Sequence, residues 1–344
     1  YQESIKNFQQ MEKRFKELPH TRIVMTGTSP YDETAQIKDN TVFKKKNETI
    51  KRIIEYQRES AARNGWEFTD WNAPMVAINQ ELQQKDPSFT LCGNDRIHPD
   101  NDGHMVMAYL FLKAQGLAGK LVADIRIDGA GKKVTRSDNC RVSDLSVSSD
   151  NLTFTYEAKS LPYPIDTSYY DNEKHTQADA LSVIPFMDEM NYEGLSVSGL
   201  SDGYYGLTIG GEFIGRFTAR ELERGINMAL LQNTPQYKQA MKIRQMNEER
   251  WLKERKMREF YWVEYNLMRK TGMLWACNEA AVDTLRKYRP HDIFLQWNGD
   301  LWLQYMHKGI REDCVNEQQD LVDRIYEQNK PIPLQIEIKK FTDL

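Results

Sequence analysis

TRIVMTGTSPYDETAQIKDNTVFKKKNETIKRIIEYQRESAARNGWEFTD, residues 21–70, reads as strand, loop, helix and strand, and that order decides the fold class. Residues 21–26 are a short β-branched apolar run stopped by Gly27 and Pro30, the pattern of a strand covered on both faces of a parallel sheet. Ile50, Ile53, Ile54 and Tyr56 recur among charges at helical spacing, and Asn64-Gly65 ends the run. Residues 66–70 return to a strand pattern. A strand, a helix and a second strand at this spacing imply a right-handed crossover in an α/β fold.

Working outward, Ile5, Phe8, Met11, Phe15 and Leu18 mark a helix with one buried face, stopped by Pro19. Residues 103–115, with Met105, Val106, Ala108, Tyr109, Phe111 and Leu112, predict a further helix that closes the unit near Gly116. From about residue 119 the pattern changes to alternation, as in VADIRID (122–128), DLSVSSDNLTFTYEA (144–158) and YYGLTIGGEFIG (204–215), the last a hairpin around Gly210-Gly211. From 218 the chain reads as helical and highly charged, opening with Thr218 and Glu221 at capping-box spacing. Residues 333–339 alternate again and are expected to return to the β region, because a lone strand leaves its backbone groups unpaired. The expected domains are therefore 1–118, a β-rich 119–217, a helical 218–330 and a terminal strand in 331–344.

Composition narrows the function classes. The 344 residues carry 46 basic and 50 acidic side chains, interleaved, for a formal charge of −4, so no basic stripe invites nucleic acid. No apolar run is long enough to span a bilayer. Cys92, Cys140, Cys277 and Cys314 are widely spaced and form no zinc or disulfide framework, and no cofactor motif is read. The chain opens on a polar amphipathic stretch in which no export signal is legible. Oligomeric state is not encoded in any motif.

One loop concentrates chemistry. CGNDRIHPDNDGH, residues 92–104, holds Asp95, His98, Asp100, Asp102 and His104 just before a predicted helix. An imidazole used as a base must be held in one tautomer. A carboxylate three residues earlier on a tight turn can accept its Nδ1–H and leave Nε2 free, the spacing of Asp95 and His98. Pro99 stiffens the backbone behind the base, Asp102 suits a helix cap, and His104 is expected to be a buried structural histidine. A metal site built from these five residues is the weaker reading, since turn and capping chemistry explains Asp100-Asn-Asp-Gly and no later bidentate Glu follows.

The string DRIHPDNDGHMVMAYLFLKAQG (95–116) resembles the last block of SGNH/GDSL-type serine hydrolases, where Asp-x-x-His-Pro precedes a Gly-His and an amphipathic helix. RIVMTGTSPYDE (22–33) and EFTDW (67–71) also fit that family, and residues 195–240 resemble a region appended in a subgroup of it. The resemblance covers roughly residues 1–240. It implies a three-layer, flavodoxin-like SGNH hydrolase domain lacking its N-terminal part, followed by the antiparallel β and helical regions. His98 becomes the general base and Asp95 its orienting acid. The implied substrate is a short acyl ester of a small molecule or carbohydrate, with no cofactor and no metal, and the implied location is periplasmic or secreted.

The family's nucleophile, in a Gly-Asp-Ser motif, and its oxyanion donors, a Gly and the Asn of Gly-x-Asn-Asp, are not found in residues 1–344. The expectation is a fragment that begins past them and is nearly inactive alone. Gly93-Asn94-Asp95 mimics the Asn-Asp block but already contains the orienter. Ser29 ends a strand, yet Pro30 removes the next backbone N–H that an oxyanion hole would use. The alternative class is a non-catalytic carbohydrate-binding or scaffold protein on a degenerate hydrolase fold. Trp251, Trp262, Trp275, Trp297 and Trp302 could stack on sugar, but helical spacing favours core positions for such aromatics, including Trp251, Tyr261 and Tyr265.

Overall fold

The computed structural model describes residues 1–38, 40–168 and 175–341; of the terminal segment 331–344, residues 342–344 lie outside that set. The chain forms two compact units, Tyr1–Val122 with Ile165–Glu193, and Ala123–Pro164 with Gly194–Leu344.

The first unit contains α1 (Gln2–Lys16), β1 (Val24–Thr26), α2 (Lys46–Asn64), β2 (Glu67–Thr69), α3 (Asn72–Leu82), α4 (Asn101–Ala114) and the short α5 (Phe186–Glu189). β1 and β2 run parallel, Val24 opposite Glu67 and Thr26 opposite Thr69. The helical spacing read in the sequence buries Phe8 of α1 against Met25 of β1 and Ala61 of α2, with Phe15 edge-on to Trp66 at 5.8 Å.

Sequence periodicity misses α3. Pro74 lies in its first turn, where a missing N–H costs nothing, and its buried face carries Asn72 and Asn79 beside Met75, so no apolar stripe announces it. Two expectations about α4 are corrected. The helix begins at Asn101 with Asp100 in the N-cap position, and the Asp102 carboxylate accepts the Gly103 N–H at 2.7 Å from inside the first turn. His104 is exposed, because the face turned inward is that of Asp102, Gly103, Met105, Val106 and Tyr109.

The second unit opens with β3 (Ala123–Asp128), β4 (Lys133–Asp138), β5 (Cys140–Val147) and β6 (Asn151–Ala158) and continues with β7 (Glu193–Ser198), β8 (Tyr204–Ile209) and β9 (Glu212–Thr218). Thr218 and Glu221 form the capping box of α6 (Ala219–Arg224). The helical reading from 218 is interrupted beyond it, since β10 (Ile226–Asn227) pairs antiparallel with Gly194 and Leu195 of β7. β11 (Leu334–Lys340) completes the set. One sheet has the order β10-β7-β3-β4, the other β5-β6-β11-β8-β9, with β11 antiparallel to both of its neighbours. Period-2 alternation turns Leu152, Phe154 and Tyr156 of β6 inward with Ile336 and Ile338 of β11. They share one core with Ile125, Ile127, Leu195 and Val197 of the other sheet. Gly210 and Gly211 make the two-residue turn of the β8–β9 hairpin, both at positive φ.

Between β10 and β11 lies a helical module of α7 (Pro235–Val263), a π-turn at Glu264–Met268, α8 (Glu279–Tyr288), α9 (Ile293–Tyr305) and α10 (Lys308–Gln328). Its core is Met257, Phe260, Val263, Leu267, Leu285, Leu295 and Trp302. Glu264 is buried at the π-turn, where its two oxygens accept the Trp302 indole N–H and the Trp275 backbone N–H, each at 2.8 Å. Of the tryptophans expected in the core, Trp302 is there and Trp262 is half-buried. Trp251 and Tyr261 of α7 are exposed because the inward positions of that helix are already filled by Met257, Phe260 and Val263; Tyr265 of the π-turn, Trp275 after it and Trp297 of α9 are exposed as well.

Candidate active site

The loop between α3 and α4 is held from below by polar side chains of α3 and of the 32–35 turn. Asn79 accepts the Leu91 N–H at 2.9 Å and donates to Asp32 Oδ2 at 3.0 Å; Gln83 donates to the same oxygen at 2.9 Å. Asp32 Oδ1 accepts the backbone N–H groups of Thr34 and Ala35. A buried carboxylate is tolerated only with such a full set of donors.

Above this floor, Gly93 turns the chain at φ +62, and Arg96 stands at φ +71, an unusual conformation for a side chain with a Cβ. The surroundings fix it there. The Arg96 carbonyl accepts the Asp32 N–H at 2.9 Å, and its buried guanidinium donates to the carbonyls of Asp32 and Ala35 at 3.1 and 2.7 Å. Sequence reading missed Asp32, Asn79 and Arg96 because each is a polar residue in the interior, and Asn79 sits on the helix that Pro74 disguises.

This turn brings Asp95 and His98 together. Asp95 Oδ1 accepts the backbone N–H groups of Ile97 and His98 at 3.1 and 2.9 Å, and Oδ2 faces His98 Nδ1 in a short hydrogen bond. Partial burial pushes the Asp95 carboxyl up, but the bonds from the His98 ring, the His98 N–H and the Ile97 N–H outweigh it and hold it below its ordinary value. Asp95 is therefore a carboxylate acceptor, an arrangement that suits an imidazole carrying a proton on Nδ1. Nε2, the other ring nitrogen, belongs to a side chain that is 84% exposed. Such a pair can take a proton from a hydroxyl and return it to a leaving group.

Gly93 is the tightest point of this geometry. A Cβ there would lie 2.4 Å from the His98 carbonyl oxygen, on a backbone that L residues avoid. If His98 acts as the base of an ester hydrolase, Gly93→Ala is expected to displace it and lower kcat on the order of a hundredfold in protein that also carries the nucleophile. Activity within a factor of two of wild type would show that the turn does not set the position of the base.

The other candidates are separated from the base. Ser29 is buried, and its hydroxyl donates to the Ile97 carbonyl at 3.5 Å, not to the His98 ring. Cys92 is fully buried, and burial, helped by the Asp32 charge, pushes its thiol up to about 12, which makes it inert as a nucleophile. Asp100, Asp102 and His104 do not converge with Asp95 and His98; among the described residues, no three His, Cys, Asp or Glu side chains have a metal-binding arrangement.

Asp102 faces His175 Nδ1 at 3.5 Å instead. Burial raises its carboxyl to about 6, with the His175 charge opposing. A raised acid binds its proton more tightly folded than unfolded, so its contribution to stability declines as pH rises from the unfolded value near 3.8 through 6. Asp102→Asn keeps the acceptor for Gly103 and removes the charge. It is expected to stabilise the chain at pH 8 by about 3 kcal/mol and to leave stability at pH 4 nearly unchanged. Urea midpoints at the two pH values check this; a variant destabilised at pH 8 would mean that the ionised pair with His175 holds the fold.

Comparison with known proteins now bears on this loop and on the helical module. A family model described as the diltiazem deacetylase C-terminal helical domain matches residues 241–330. Among curated proteins none matches the chain. The solved structure of a gut microbial diltiazem-metabolizing enzyme is similar over 99% of this chain and 77% of its own, with 58% identity and a TM-score of 0.94. Nearly a quarter of that enzyme's chain thus lies outside the match. Identity and coverage of this size establish kinship beyond fold: the chain belongs to the family of that diltiazem-metabolizing enzyme, a family of esterase-type hydrolases.

Proposed function

We propose that this chain supplies the acid–base half of an SGNH-type serine esterase that removes short acyl groups, acetyl above all, from a small-molecule alcohol. The observation that carries the reading is the Asp95–His98 pair, with Nδ1 held and Nε2 open to solvent. Acetyl is chosen because the matching family model is described as a deacetylase. A carbohydrate O-acetyl ester belongs to the same substrate class.

In the proposed cycle His98 Nε2 takes the proton of a serine hydroxyl as its oxygen attacks the ester carbonyl. Collapse of the tetrahedral adduct breaks the ester C–O bond, and His98 passes that proton to the departing alkoxide, releasing the alcohol. A water then gives its proton to His98 and attacks the acyl-serine, and the proton returns to the serine as the carboxylic acid leaves. Asp95 stays ionised throughout and stabilises the imidazolium. The nucleophile and oxyanion donors are assigned to protein outside residues 1–344, since Ser29 and Cys92 are unsuited, and a location outside the cytoplasm is part of the same proposal.

Labelling with a serine-reactive fluorophosphonate tests this. The 344-residue chain alone is expected to give no adduct, while protein that includes the upstream sequence gives one adduct lost in His98→Ala. An adduct on a serine within residues 1–344 that depends on His98 would sink the assignment.

A further inference from the structure

One face of α7 carries Trp251, Arg255, Arg258 and Trp262, at helical spacing, and the π-turn continues it with Asn266. Two hollows open on the two sides of Trp262. The first, about 260 Å³, is lined by Trp251, Arg258, Trp262 and Asn298; the second, about 350 Å³, by Trp262, Asn266, Tyr288, His291 and Asp292. Phe294 leans on Trp262 at 5.2 Å between ring centres, and Trp297 meets Phe294 edge-on at 5.4 Å. Trp251, Tyr288, Phe294 and Trp297 are 45%, 41%, 48% and 66% exposed, and none of them belongs to the buried core of the module. Arg255 and Arg258 reach over the Trp251 ring at 6.0 and 5.6 Å and Lys287 over the Tyr288 ring at 5.6 Å, yet both rings keep more than 40% of their surface exposed, and clustered exposed aromatic surface of this kind is a feature of binding sites.

The chemistry of the walls selects the ligand. Arg255 and Arg258 are neutralised by Glu259 and Glu254 at 2.7 and 2.9 Å, so the first hollow offers no net positive charge to an anion. What remains is aromatic surface edged by Asn298 in the first hollow and, in the second, by Asn266 and by Lys270 and Asp292, whose opposite charges offset each other. Asn266 spends its N–H on the Trp262 carbonyl and keeps its oxygen free, while among the described residues the Asn298 amide has no protein partner. Asp292 caps α9 through Oδ1 and retains Oδ2. Aromatic faces take the C–H face of a pyranose ring, and planar amide and carboxylate groups pair with its hydroxyls. We propose that this groove binds a neutral oligosaccharide, with Trp262 dividing two sugar subsites, independently of the chemistry at His98.

The test is titration of the 344-residue chain with maltohexaose, cellohexaose, xylohexaose and mannohexaose, followed by tryptophan fluorescence and calorimetry. At least one is expected to bind saturably and at least about tenfold more tightly than its monosaccharide. Trp251→Ala and Tyr288→Ala, one exposed ring from each hollow, should each weaken it by about tenfold. His98→Ala should bind as wild type does, which separates this site from the proposed esterase. Saturable binding to none of the four, or binding that survives the Trp251→Ala/Tyr288→Ala double variant with its circular dichroism unchanged, overturns the proposal. So does a dimer in sedimentation equilibrium that Trp297→Ala dissociates, since the face would then be a contact between copies.

Discussion

Asp95→Asn is expected, on the proposed mechanism, to lower kcat/KM for acetyl-ester hydrolysis about ten-thousand-fold in protein that carries this chain together with the proposed nucleophile. The amide is nearly isosteric, and its oxygen can still accept the Ile97 and His98 N–H groups, so the turn survives. What changes is the side facing the ring. An amide NH₂ presented to His98 Nδ1 favours the tautomer with its proton on Nε2, the atom that takes the serine proton in the proposed cycle. Loss of charge also removes the stabilisation of the imidazolium. The measurement is kcat/KM as a function of pH, with urea unfolding as a control. A fall of less than tenfold with unchanged stability would mean that Asp95 is a turn residue and not the orienter.

Trp302→Ala should be the most damaging single change to stability, at about 4 kcal/mol. The indole is fully buried at the centre of the helical module, and its N–H donates to Glu264. Truncation leaves a cavity and also strips a donor from a buried carboxylate, two penalties that add. Trp297→Ala, at a ring 66% exposed, is expected to shift stability by no more than about 0.5 kcal/mol. Denaturant midpoints of the two variants decide the matter. Equal shifts would contradict the burial described for the module.

The strands at 24–26 and 67–69, α1, α2, the Gly210-Gly211 hairpin and the capping box at Thr218 were legible because each is set by local pattern or turn chemistry. The Asp95–His98 contact was legible for the same reason, being made within one turn. Interior polarity was not. Asp32, Asn79 and Arg96 are inside because they satisfy one another across the fold, and a sequence window cannot see partners more than forty residues apart. His104 and Trp251 misled in the opposite sense: residue type suggested burial, while the rotations of α4 and α7 put both at the surface.

β11 sits between β6 and β8, at the centre of its sheet. Until residue 340 has left the ribosome, the sheet exists only as two detached hairpins, β5–β6 and β8–β9, each with an unsatisfied apolar edge. The helices between β10 and β11 pack on one another, α7 against α9 and α10, and can form while synthesis continues, whereas the sheet must wait and then close a loop that spans the whole helical module. Nascent chains stalled before this strand should therefore display a folded helical module beside an incomplete, protease-sensitive sheet.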